Sequence, residues 1–167
     1  MCGPENTNRP RGGALVALCP PALAATMPTS ASPFSGVIRG DLAFHTPGFP
    51  GSTEATHARL TPENALDLGQ LSDLHIVIHS SGDLTRSADE CGLFRQISLS
   101  TMAMASPSSS AYLELPLESP LSLQVGNEGI IGRRVSLYSR PCPGINRMVA
   151  EGIVGFNFNA SSPMSSL

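Results

Sequence analysis

Residues 74–85, Leu74-His75-Ile76-Val77-Ile78-His79-Ser80-Ser81-Gly82-Asp83-Leu84-Thr85, constrain the fold more than any other stretch of the chain. Side chains alternate along an extended backbone, so Leu74, Ile76 and Ile78 fall on one face and His75, Val77 and His79 on the other. Three β-branched residues in succession favour a pleated strand over a helix. Ser80-Ser81-Gly82-Asp83 then supplies turn chemistry. The stretch reads as a strand that buries aliphatics, shows two histidines outward and ends in a tight turn. Two outward histidines raise a metal site as the first functional question.

The same grammar recurs along the chain. Gly13 to Cys19 reads as a short apolar strand. Ser35 to Thr46 alternates, with Gly36 and Gly40 as candidate bulges. Thr53 to Leu60 is a third, more polar strand, after which Thr61 and Pro62 have the residue types that cap and start a helical turn ending near Gly69. Arg86 to Gly92 is a loop, and Leu93 to Ser100 alternates weakly. Residues 102–110 carry Ser, Ala and Pro without a period. Ala111 to Glu118 alternates clearly, Leu121 to Val125 is a short extended piece, and Gly126 to Gly129 is a turn. Ile130 to Arg140 and Met148 to Asn157 complete the set, separated by a loop from Pro141 to Arg147. Fifteen prolines and sixteen glycines punctuate these elements, and no long helical period appears. About eight short strands with turns between them predict an all-β sandwich or barrel. Residues 1–12 and 159–167 read as disordered ends of a single domain over 13–158.

Charge and cysteine usage exclude several functions. All ten basic residues are arginine and the net charge is −3, so no basic stripe for nucleic acid is present. No apolar run reaches the length of about 20 residues that spans a bilayer, so no membrane partner is expected. The four cysteines, Cys2, Cys19, Cys91 and Cys142, form no CxxC or CxC pair, which leaves neither a zinc knuckle nor a soft copper(I) clamp. Free thiols in a cytoplasmic protein are the expectation, and Cys91 and Cys142 pair only if the fold brings them together. Residues 9–25 share features with a signal peptide, but Glu5 and Pro20-Pro21 fit a first strand better. Asn159-Ala160-Ser161 is a glycosylation sequon, which matters only to a secreted chain.

The order of these pieces resembles Cu/Zn superoxide dismutase and, more closely, the dismutase-like domain of its copper chaperone. Gly13-Ala-Leu-Val-Ala-Leu and Gly36-Val-Ile-Arg-Gly-Asp-Leu-Ala-Phe are similar to the first two strands of that family. His75-Ile-Val-Ile-His-Ser-Ser-Gly-Asp is similar to its His-x-His-x-x-Gly-Asp strand and turn. Ala111-Tyr-Leu-Glu-Leu-Pro-Leu, Gly129-Ile-Ile-Gly-Arg-Arg-Val-Ser-Leu and Ala150-Glu-Gly-Ile-Val-Gly-Phe follow in the family's order. The resemblance implies a Greek-key β-sandwich or barrel of the Cu/Zn superoxide dismutase type. It also implies structural roles for Gly82, Asp83, Gly132 and Arg133. Arg133-Arg134, at the start of a strand, read as structural arginines that bond loop carbonyls rather than an anion.

The departures from that family decide the expected function. The resemblance puts Val77 and Tyr138 where copper ligands stand and leaves His79 as the relic of a ligand position. No His or Asp lies between Gly92 and Ala111, where the bridging histidine and the zinc ligands belong. Ala88 and Glu151 occupy the places of the family's disulfide cysteines. His75 does not rescue the site by itself: four residues along a strand separate its Cα from that of His79 by about 13 Å. His45 and His57 lie on other strands, and nothing in their spacing brings them in. The expectation is therefore no metal, no cofactor and no catalysis.

What the resemblance leaves is a protein-binding module of copper homeostasis. Its partner would be the Cu/Zn superoxide dismutase in a heterodimer, or a second copy of the chain in a homodimer. In the family, docking uses the first and last strands and the loop after the Gly-Asp turn. The corresponding candidates here are Leu15, Leu18, Arg86, Gly92, Gly152 and Phe156. Without an MxCxxC domain or a C-terminal CxC, the chain itself would deliver no copper. The alternative is a structural or self-associating sandwich, a pseudo-dismutase unconnected to copper delivery.

Overall fold

A computed structural model describes residues 10–22, 37–64, 73–99, 112–140 and 145–157. Nine strands are present among them: β1 (Ala14–Leu18), β2 (Gly40–His45), β3 (Glu54–Pro62), β4 (Leu74–Ile78), β5 (Arg95–Leu99), β6 (Leu113–Val125), β7 (Gly129–Ile131), β8 (Arg134–Ser139) and β9 (Arg147–Phe156). A single 3-10 turn, Ala88–Cys91, interrupts the connection from β4 to β5. The strands form one sheet in the order β5-β4-β8-β9-β1-β2-β3-β6-β7. Only the β6–β7 pairing is parallel, so the sheet is mixed. It is not closed into a barrel: β5 and β7 are its two ends.

One apolar cluster joins the inward residues of all nine strands. Ala14, Val16 and Leu18 of β1 meet Leu42 and Phe44 of β2, Ile76 and Ile78 of β4, Leu137 of β8 and Val154 of β9 in that cluster. Alternation explains most of it. Leu74, Ile76 and Ile78 are buried, while His75 and Val77 between them are half-exposed.

Four expectations are corrected in detail. Thr61 and Pro62 do not start a helical turn; they extend β3 and pair with Asp41 and Gly40. The segments 111–118 and 121–125 are one strand, β6. Its register against β3 steps from His57↔Pro116 to Ala55↔Leu121. Residues 117–120 thus stand opposite Thr56 alone, a bulge with three surplus residues that reads in sequence as a break. The expected strand from Ile130 to Arg140 is two strands. Gly132, at φ 84°, turns the chain from β7, which runs beside β6, into β8, which lies between β4 and β9. The strand expected from Ser35 begins only at Gly40 among the described residues.

The turn after β4 packs against the turn between β7 and β8. A Cβ built on Gly82 would stand 2.0 Å from the carbonyl oxygen of Gly132, so only glycine permits this approach. Asp83 forms an Asx turn, accepting from the Thr85 amide at 2.8 Å and its hydroxyl at 2.6 Å. These two bonds hold the Asp83 carboxyl below its ordinary range. Arg133 donates to four main-chain carbonyls: Gly129 at 2.6 Å, Ser80 at 2.7 Å, Asn127 at 2.9 Å and Gly126 at 3.1 Å. Its guanidinium also lies 4.0 Å above the Phe94 ring. Lysine has no planar fork and cannot reach all four acceptors. Arg133→Lys is expected to lower stability by about 1–3 kcal/mol in urea denaturation, and an unchanged midpoint would show the clamp to be idle.

Candidate functional site

The outer face of β4, β5 and β8 carries an open groove of about 680 Å³. The loop after β4 borders it with Ala88, Asp89, Gly92 and Leu93, and Arg140 and Asn146 border it beyond β8. Its floor holds the three positions that the resemblance relates to copper ligands: Val77, His79 and Tyr138. His75 and Tyr138 are direct partners across β4 and β8. Their rings stack with centroids 5.3 Å apart and planes inclined by 10°. Asn146 Nδ2 donates to His75 Nε2 at 3.1 Å, so that ring nitrogen is also engaged.

His79 departs from its expected exposure. It lies just beyond the end of β4 and is only 4% exposed, not outward with His75. Its Nδ1 lies 2.9 Å from the Gly92 carbonyl, which can only accept, so Nδ1 carries the proton. Its Nε2 then accepts from the Ser136 hydroxyl at 2.9 Å. Both ring nitrogens are thus committed within the protein. Ser136 is fully buried. A serine activated by a histidine is a hydrolase arrangement, but a hydroxyl with no exposure meets no substrate. Burial raises the Tyr138 hydroxyl above its ordinary range, and the charge of Asp89 adds to this.

His45 and His57 do not join the groove. They pair with each other across β2 and β3, ring centroids 6.3 Å apart. His45 Nε2 lies 2.6 Å from Glu114 Oε1, and Arg59 Nη2 shares that oxygen at 3.1 Å. His57 Nδ1 is bonded to the Thr56 hydroxyl at 2.9 Å. Among the described residues, no three His, Cys, Asp or Glu side chains are grouped so that they could hold a metal ion.

Burial holds both His79 and His45 below the ordinary histidine value near 6.5, against the opposing pull of the Gly92 carbonyl and of Glu114 respectively. The unfolded chain therefore binds protons before the folded one as pH falls. Stability is full above about pH 6.5 and declines as pH drops towards the folded values. Melting temperature is expected to fall between about pH 7.5 and about pH 5.5, with a shallower fall in His79→Gln; a flat profile would contradict this assignment.

No known protein family matches this sequence, and none of the curated proteins is detectably similar to it.

The residues expected to dock a partner divide in two. Leu15 is half-exposed, while Arg86, Gly92 and Phe156 are exposed. Leu18 and Gly152 are corrected. Leu18 is 2% exposed and packs in the core. Gly152 is buried where β9 meets β1, and a Cβ there would stand 2.5 Å from the Ala17 carbonyl oxygen. Neither can present a side chain to a partner. Cys19 and Cys91 are free thiols, exposed and buried respectively. Cys142 and the sequon at 159–161 lie outside the described residues.

Sequence reading singled out Arg133-Arg134 as structural arginines that bond loop carbonyls, which Arg134 does, but missed the pairing of Arg134 with Glu151. Arg134 Nη2 and Glu151 Oε2 form a close ion pair between β8 and β9, with side chains 5% and 8% exposed. The signal was available in principle. Glu151 stands among apolar residues from Met148 to Phe156, and Arg134 starts a strand next to Val135; opposite charges of that kind must find a counter-charge when buried.

Proposed function

We propose that the chain is a non-catalytic, dismutase-like β-sandwich that acts as a protein-docking module through the outer face of β1 and β9. The observation that carries this is the chemistry of that face. A sheet face turned to solvent is ordinarily polar. Here Leu15 and Ala17 of β1 and Ile153 and Gly155 of β9 form it, Ala17 exposed and the other three half-buried, with the exposed Phe156 at its end. Register places them side by side, since Leu15 pairs with Gly155 and Val16 with Val154. An apolar, charge-free strip at the centre of the sheet is the composition of an interface core.

Two further features support the dismutase-like reading. The sheet has β3–β6 and β4–β8 as neighbours, non-consecutive pairings that are compatible with a Greek-key sandwich. The groove keeps the frame of the ligand strand and its Gly82-Asp83 turn, with Val77, a committed His79 and Tyr138 at the ligand positions. The partner proposed is the Cu/Zn superoxide dismutase, in the cytoplasm. No helix among the described residues is long and apolar enough to cross a membrane.

One observation favours a second reading, a homodimer. A strip without charge carries no like-charge repulsion against its own twofold copy. Light scattering of the chain alone and mixed with the dismutase, at micromolar concentration, decides. A heterodimer mass supports docking. A homodimer that ignores the dismutase supports self-association, and monomers in both samples overturn both.

A further inference from the structure

The segment between β4 and β5 lies outside the sheet and holds Arg86 and Gly92, the exposed docking candidates furthest in sequence from β1 and β9. Arg133 on the Ser80 carbonyl and His79 on the Gly92 carbonyl hold its two ends, and Arg134 holds the stretch from Asp83 to Cys91 between them. Arg134 Nη1 donates to the Arg86 carbonyl at 2.8 Å and the Asp83 carbonyl at 3.3 Å, and lies 3.6 Å from Cys91 Sγ. Its Nη2 is paired with Glu151 Oε2. Glu151 sits on β9 between Ser136 of β8 and Cys19 beyond β1, so it belongs to the same strand pair as the apolar face. Cys91 closes the loop upon itself, donating Sγ–H to the Asp83 carbonyl at 3.2 Å and accepting at its own carbonyl from the Ser81 amide at 3.0 Å.

We propose that Arg134 is the positioning residue of the docking surface: a buried guanidinium that ties the β4–β5 loop to β9 through Glu151, without a covalent link. Its acceptors in the loop are main-chain carbonyls that no strand pairing uses. Losing them therefore frees the loop while leaving the sheet ladders intact. One planar fork spans both sides because its two terminal nitrogens point to the loop and to the carboxylate at once. The consequence for partner binding rests on the docking reading; the tether itself does not.

Cys91 supplies a readout that a general stabilising role would not move. It is 2% exposed under the loop, whereas Cys19 is exposed and serves as the reference thiol in the same molecule. The double variant Arg134→Met/Glu151→Leu removes both charges and leaves none buried alone. In the full chain, alkylation mapped by mass spectrometry is expected to be about tenfold or more faster at Cys91, unchanged at Cys19, with cooperative thermal unfolding retained. Unchanged Cys91 reactivity in the folded double variant overturns the proposal. If that variant does not fold, Glu151→Gln is the second probe, and a folded protein with Cys91 still protected overturns it equally. Because alkylation needs no partner, a failed docking experiment and a failed tether are told apart.

Discussion

Glu151→Ala is expected to lower the unfolding free energy by about 3–5 kcal/mol, the usual cost of leaving one member of a buried ion pair without its partner. Both side chains are nearly inaccessible, at 5% and 8%, so solvent does little to screen the charge left behind. Arg134 cannot lose its proton to escape, as a buried lysine does. Its Nε is already buried without a hydrogen-bond partner among the described residues, and the carbonyls on Nη1 carry no charge to replace the carboxylate. The Ala22 amide, 3.4 Å from Glu151 Oε1, loses its acceptor as well. Urea denaturation at neutral pH measures the effect, and a loss under about 1 kcal/mol would mean that water or a rearranged loop takes over the carboxylate's role. The charge-free double variant should recover much of the loss. Apolar replacement of a buried pair is often close to neutral, whereas a single deletion is not.

The contrast between that pair and the rest of the fold marks where sequence reading succeeds. Strand β4 was legible because three β-branched residues and a two-residue period act locally, and the burial of Leu74, Ile76 and Ile78 follows from them. The turn at Gly82-Asp83 was legible for the same reason. The all-β class followed from the spacing of turns. What was not legible depends on contacts distant in sequence. His79 alternates with His75, so a local rule sends it outward. The Gly92 carbonyl and the Ser136 hydroxyl, 13 and 57 residues away, bring it in. Leu18 belongs to a strand apolar on every position, so alternation alone could not say which of its side chains face the core. The break at Gly132 was hidden because Ile130-Ile131 before it and Val135 to Tyr138 after it both have strand-forming residues. Only its position between two different neighbouring strands shows the turn.

The groove residues are held by contacts within the protein. Val77 has no donor atom. Tyr138 is stacked on His75, and His79 spends both nitrogens on the protein. The groove is therefore built as a supported polar surface, and docking is proposed on the apolar strip of β1 and β9 instead.

That strip yields the second large effect. Leu15→Asp is expected to weaken association, with the dismutase or with a second copy, by about 2–4 kcal/mol, roughly 30- to 700-fold in Kd. Leu15 sits in a row of register partners, Gly155 on one side and Ala43 on the other. An aspartate there would place an unpaired carboxylate at the centre of the contact, with no described cation on β1 or β9 in that row to receive it. Desolvating such a charge outweighs the apolar area that the same contact buries. Folding should be little affected, by about 1 kcal/mol or less, because Leu15 faces outward and is half-exposed in the monomer. The control lies across the sheet: Val125 is 72% exposed near β7, and Val125→Asp adds the same charge away from the strip. Association lost in Leu15→Asp but kept in Val125→Asp, with both melting as the parent does, locates the interface on β1 and β9. Equal association in all three proteins would mean that the strip is not where this chain meets its partner.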